Sequence, residues 1–216
     1  MILSHMGRKP AVDPLAYVAP NATVCGDVTV AAGARIMFGA CVVAEGKPIT
    51  LGKNSIVMEN AVIRSTDEHR AAIGDRCLVG PQSHLVGCVL EDCVFIATGA
   101  TVLHGARLGY NSEVRVNGVV QLRTELAAHA VVPIGWVAVG TPARIFPTER
   151  HEEIWAVQKP LDFPHFVYGV ERAPEGETNM PDITARRSRA LGWHRADTVE
   201  NQLTGTSQVS AKTHAR

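Results

Sequence analysis

The chain has 216 residues, with 21 Lys+Arg against 21 Asp+Glu and 19% charged residues in all. That length supports one domain with an appendage and a sizeable core. The charge balance removes any electrostatic case for nucleic acid or an anionic membrane, and no apolar run approaches the roughly eighteen residues of a membrane span.

Met1 to Lys9 lack the apolar stretch of a secretory signal, and Ser4-His5-Met6 are given no role. Cys25, Cys41, Cys77, Cys88 and Cys93 show no Cys-x-x-Cys spacing, so reduced thiols in a cytoplasmic setting are expected rather than disulfides or a zinc knuckle. Aromatic residues are 5% beside 46% hydrophobic, with 19 glycines. A core this aliphatic must be built in small uniform layers, which points to a repeat.

The repeat begins at Val18. Aliphatic anchors follow at Val24, Val30, Ile36, Val42, Leu51, Val57, Ile63, Ile73, Val79, Leu85 and Leu90, then every six residues from Ile96 to Val132. The departures from six are Val42 to Leu51, Ile63 to Ile73 and Leu85 to Leu90. Two residues before an anchor the side chain is usually small, as at Ala22, Ala34, Ala40, Ala61, Ser83, Ala100 and Ala106. Helices need anchors at three and four, and hairpin meanders turn every eight to twelve residues. A six-residue period fits a short strand plus a corner, three of which close one triangular coil of a parallel β-helix. The fold expected is therefore all-β: a left-handed parallel β-helix of about six coils over residues 11–146.

The period stops after Gly140-Thr141-Pro142-Ala143-Arg144. Thr148 is placed to cap a C-terminal α-helix bearing Glu149, Glu152 and Glu153 in its first turns, with Ile154, Val157 and Leu161 on its apolar side. Residues 147–172 are assigned to this helix and a packing extension, and 173–216 to a polar, extended tail. Thr204 to Arg216 reads as disordered, and Arg186, Arg187 and Arg189 as a solvated or salt-bridged helix face.

Sorting the anchors by threes gives three faces. Residues beside an anchor point outward, so outward columns can be read directly. Leu15-Ala16-Tyr17-Val18-Ala19-Pro20-Asn21-Ala22-Thr23-Val24, Pro48 to Asn54, and the short step Leu85-Val86-Gly87-Cys88-Val89 together resemble the γ-class carbonic anhydrases over about residues 11–160. The resemblance implies a homotrimer of left-handed β-helices. It also implies an intersubunit zinc on three histidines, assisted by Arg, Asp and Gln.

Position by position, those ligands are replaced. The histidines fall on Arg64, Pro81 and Val86, and the assisting residues on Val43, Glu45 and Met58. Zinc needs three N, S or O donors and an open water position, which this set does not offer. A guanidinium in the column would also repel the ion. No zinc and no hydration of carbon dioxide are therefore expected.

The column becomes Val43, Arg64, Val86 and Leu103, faced by Met37, Phe38, Met58, Glu59, Pro81 and Gln82 of a neighbour. It reads either as a dry trimer interface, with Arg64 paired to Glu45 or Glu59 across subunits, or as a pocket for a small amphipathic or acyl ligand held at Arg64.

Two enzymatic readings compete. Hexapeptide-repeat acyltransferases use CoA and need a general base at the cleft; His84 and His104 are the candidates, with Glu45 to orient one. A relocated metal on His69, His84 and Glu59 or Glu45 would suit a hydratase or thioesterase. His84 and His104 are judged about 10 Å apart by strand rise, and His69 reaches His84 only if its loop folds back. His129 falls on the third face.

Overall fold

Each aliphatic anchor pairs with the anchor one coil away. Val42 lies in parallel register between Val24 and Ile63, and Leu51 between Val30 and Ile73. Val57 likewise lies between Ile36 and Val79. The three faces are three sheets, called here the Val42, Leu51 and Val57 sheets. The chain is described by a computed structural model over residues 1–200. The Thr204–Arg216 stretch, read as disordered, lies outside those residues.

From Val24 to Val132 the anchors are buried, Val42, Ile63 and Leu85 completely, and each contributes about 2 kcal/mol of apolar burial. One coil cannot bury its own anchors; only stacking closes the core. Three residues before most anchors the backbone turns left-handed, from Gly33, Gly39, Asn54 and Asn60 through Arg123, His129 and Gly135, with φ between +53° and +73°. This corner explains the Gly and Asn that punctuate the repeat. At Gly33 a Cβ would also lie 2.2 Å from Asn54 Oδ1.

The solenoid is longer than expected. The Val42 sheet has ten strands, of which Arg144–Phe146 and Thr198–Val199 are antiparallel, leaving eight parallel ones and about eight turns instead of six. It starts before residue 11, because Ile2–Ser4 pairs in parallel with Thr23–Cys25 and Ala11–Val12 with Val28–Val30. Ile2 and Val12 are anchors in register with Val24 and Val30. Their ten-residue spacing matches Ile63 to Ile73. All irregular intervals fall at one corner, where the chain passes from the Val42 sheet to the Leu51 sheet.

Beyond the coils, α1 (His151–Gln158) starts later than expected. Arg150 rather than Thr148 holds the N-cap position, with no side-chain cap bond. The antiparallel strand to Phe146 and then Pro147 carry the chain past Thr148 before a helix can begin. Ile154 of α1 packs with Val137, Val139 and Phe146, closing the last coil.

The described part of the segment from 173, up to residue 200, is not an extended tail. After α2 (Phe163–Tyr168) it forms α3 (Met180–Leu191), a 3₁₀ turn Gly192–Ala196, and the strand Thr198–Val199 against Ile2–Ser4. No helix among the described residues is long and apolar enough to cross a membrane.

Candidate functional site

Arg64 pairs in register with Val43 on one side and Val86 on the other, so the outward column expected from the repeat is present. Leu103, directly after Val102, continues it by the same register. Val86 is buried at 8% exposure, and Val43 and Leu103 are half-buried.

Arg64 ion-pairs with Glu45 of its own chain, one coil earlier, and not with Glu59. The corner following Val43 is long enough to bring Glu45 beside the guanidinium without a neighbour's help. Glu45 Oε2 also accepts from Arg187 of α3 at 3.3 Å, and Oε1 lies 3.7 Å from His194 Nε2. Glu45 is only 12% exposed, so its charge is met largely by these three groups. Burial and the Arg187 guanidinium lower the Arg64 pKa from its ordinary value. Of the expected arginine face, Arg187 is thus ion-paired, while Arg186 reaches the Tyr168 carbonyl.

Met37, Phe38, Met58, Glu59, Pro81 and Gln82 lie at the other end of these strands, on the Val57 sheet and its corner into the Val42 sheet. Gln82 is a corner residue, with φ +57°. Phe38 is 47% exposed, and Met37, Met58, Glu59 and Pro81 are half-buried.

The candidate histidines group differently from expectation. His69 sits over Gly87 and faces His104, with ring centroids 6.2 Å apart, rather than His84. Phe166 of α2 packs 5.0 Å from the His69 ring. Among the described residues His104 Nδ1 is buried without a hydrogen-bond partner. Burial, then the charges of His69, His84 and Arg187, lower His104 from 6.5 to about 4. Burial also lowers His69 and His84, the latter helped by Arg64.

A groove of about 520 Å³ lies beside this pair, lined by His69, Gly105, Arg123, Glu125, Thr141 and Phe166. His129 is apart, against Tyr110 and Asn111. His69, His84, Glu45 and Glu59 do not converge on one point that an ion could occupy, among the described residues.

Sequence reasoning missed His5. It is 4% exposed, bonds Asp197 through Nδ1 at 2.6 Å, and stacks on His194 at 4.3 Å. The anchor spacing Ile2 to Val12 was the available signal, since it places His5 at the same widened corner as Glu45 and His69.

These features define a left-handed β-helix of the hexapeptide-repeat class whose donor column carries an ion-paired arginine. No protein-family model matches the chain. It is 30% identical over 159 residues to γ carbonic anhydrase 1, mitochondrial, of Arabidopsis thaliana, covering 71% of this chain and 56% of the relative. It is 28% identical to the same plant's γ carbonic anhydrase 2, mitochondrial, covering 71% and 55%. The chain therefore spans about half the length of these curated relatives. A Bacillus cereus protein described as an acetyltransferase shares the fold, with a TM-score of 0.60 at 18% identity over 90% of this chain and 93% of that one. The chain is a γ-carbonic-anhydrase-like hexapeptide-repeat protein.

Proposed function

We propose that the chain does not hydrate carbon dioxide and works by assembling as a homotrimer around its Arg64 column. The observation that carries this reading is the Arg64–Glu45 ion pair inside a column otherwise made of Val43, Val86 and Leu103. Hydration at a zinc centre needs a metal-bound water with its pKa brought near 7. Arg64, Pro81 and Val86 carry no donor for such an ion, so the nucleophile is not generated at this position. A ligand carboxylate would have to displace Glu45 from Arg64, which favours a packed role over an anion pocket.

Assembly is supported by the Val57 sheet, whose outward column runs Tyr17, Arg35, Ile56, Leu78 and Phe95, with Tyr17 and Phe95 about 40% exposed. The exposed rings of Tyr17 and Phe95, with half-buried Ile56 and Leu78 and the charged Arg35 between them, suit a subunit contact. The five unpaired thiols fit a reducing compartment such as the cytoplasm, whereas both plant relatives are mitochondrial.

The test is bicarbonate turnover by zinc-supplemented protein, run alongside its solution mass by light scattering. Background turnover and a mass of three chains are expected; turnover above background overturns the reading.

A second reading, CoA-dependent acyl transfer, draws support from the unpartnered His104 Nδ1 near the His69–Phe166 groove. His104 is neutral at physiological pH and so can accept a proton, but a pKa of about 4 makes it a weak general base. A thermal shift of several degrees with acetyl-CoA, lost in His104→Ala, would favour this reading over assembly.

A further inference from the structure

Four donor side chains from opposite ends of the chain meet at the start of the solenoid. His5 and Cys25 come from its first two coils, and His194 and Asp197 from the segment after α3. One ligand atom from each lies within 4.8 Å of all the others, and no other set of three or more His, Cys, Asp or Glu does so among the described residues. The backbone creates this meeting: Leu3 pairs with Val199 and Ser4 with Thr198, which brings His5 beside Asp197.

We infer that His5, Cys25, His194 and Asp197 form a tetrahedral zinc(II) site that pins the C-terminal segment to the first coil. Two imidazoles, one thiolate and one carboxylate are a zinc-type donor set. Four protein donors leave no open position, so the site is structural. The two anionic donors balance the charge of the ion. His5 and Cys25 are 4% and 2% exposed, which keeps water from competing.

Asp197 already bridges the set: Oδ1 is 2.6 Å from His5 Nδ1, Oδ2 is 2.8 Å from His194 Nδ1, and the Cys25 thiol donates to Oδ2 at 3.5 Å. A bound zinc would replace these hydrogen bonds with bonds of about 2.0–2.3 Å. On its far side His194 Nε2 faces Glu45, a carboxylate placed to orient a ligating imidazole. This departs from the expectation of a zinc-free chain, which weighed only the Arg64 column and the His69–His84 pair. It uses none of Arg64, Pro81 or Val86, so it stands or falls independently of carbonate chemistry.

The experiment uses the untagged full chain, stripped with chelator and reloaded with zinc alone, with metal content read by elemental analysis. One zinc per chain is expected, together with a thermal midpoint that falls on chelation. Cys25→Ser and His194→Gln should each weaken zinc more than about tenfold, with the β-sheet circular dichroism retained. Substituting cobalt(II) should give the intense visible bands of a tetrahedral site and a thiolate-to-cobalt charge-transfer band. Failure to retain stoichiometric zinc overturns the proposal, as does retention indifferent to both substitutions. If a variant fails to fold, the cobalt spectrum of the unmodified chain decides: without the thiolate band, the site is refuted.

Discussion

Protonating His104 should destabilise the fold, and the size of the effect follows from where the ring sits. Among the described residues its buried Nδ1 has no hydrogen-bond partner, so a proton added there creates an unpaired N–H and a poorly solvated charge. Burial, His69, His84 and Arg187 in that order bring its pKa from 6.5 to about 4. In the unfolded chain the imidazole takes up its proton near pH 6.5, and in the folded chain only near pH 4. Between those values the unfolded state binds more protons, so stability falls as pH falls and the loss is complete below the folded pKa. At about 1.4 kcal/mol per pKa unit, the full loss is about 3 kcal/mol.

The assay is urea unfolding at fixed protein concentration, from pH 7 to pH 4, comparing the unmodified chain with His104→Gln. Glutamine keeps a neutral polar group but does not titrate. The difference between the two curves isolates His104 from carboxylates that titrate in both, and from His69 and His84, which also shift downward through burial. The unmodified chain should lose about 3 kcal/mol more than the variant on acidification. Parallel curves would refute the reasoning.

Glu45→Ala deprives Arg64 and Arg187 of their shared acceptor; with both arginines about a third exposed, a loss of about 2 kcal/mol is expected, together with faster proteolysis within α3. Ile63→Ala empties a fully buried anchor and should cost about 4 kcal/mol, read as a lower urea midpoint. Gly52→Ala places a Cβ 2.3 Å from the Gly74 carbonyl oxygen of the next coil and should cost about 3 kcal/mol by the same measure. Salt should weaken α3 docking in the unmodified chain, seen as faster amide exchange in α3, and leave exchange in the Glu45→Ala variant largely unchanged.

The coils were legible because one aliphatic residue every six positions does a single job, and its neighbours along the sequence decide it. Val42, Ile63 and Leu85 had to share a sheet once the period was recognised, and the column of Val43, Arg64 and Val86 followed from the pleat. The first coil was less legible, because the widened corner between Ile2 and Val12 interrupts the count before it has begun. Of the C-terminal segment only the arginine face was legible, and its docking was not. Its docking rests on Thr198–Val199 pairing with Ile2–Ser4 and on Arg187 and His194 meeting Glu45, contacts between residues far apart in sequence. No local pattern of charge or hydrophobicity encodes such a partner.

The irregular corner is where the molecule's chemistry collects. His5, Glu45 and His69 occupy three widened passages from the Val42 sheet to the Leu51 sheet. Regular corners are filled by a small inward residue and a left-handed turn, which leaves no spare side chain to carry function. Extra residues at one edge project outward without disturbing the stack, so they are free to hold charge. Glu45 shows the consequence. It neutralises a guanidinium that would otherwise sit half-buried in an apolar column, and it receives two groups from the C-terminal segment. The position where the resemblance places a ligand histidine is therefore coupled, through one carboxylate, to the docking of α3 and the turn after it. Replacing Arg64 alone would leave Glu45 bound to Arg187 and His194, so the column's lack of a metal donor and the folded-back C-terminus are two sides of one arrangement.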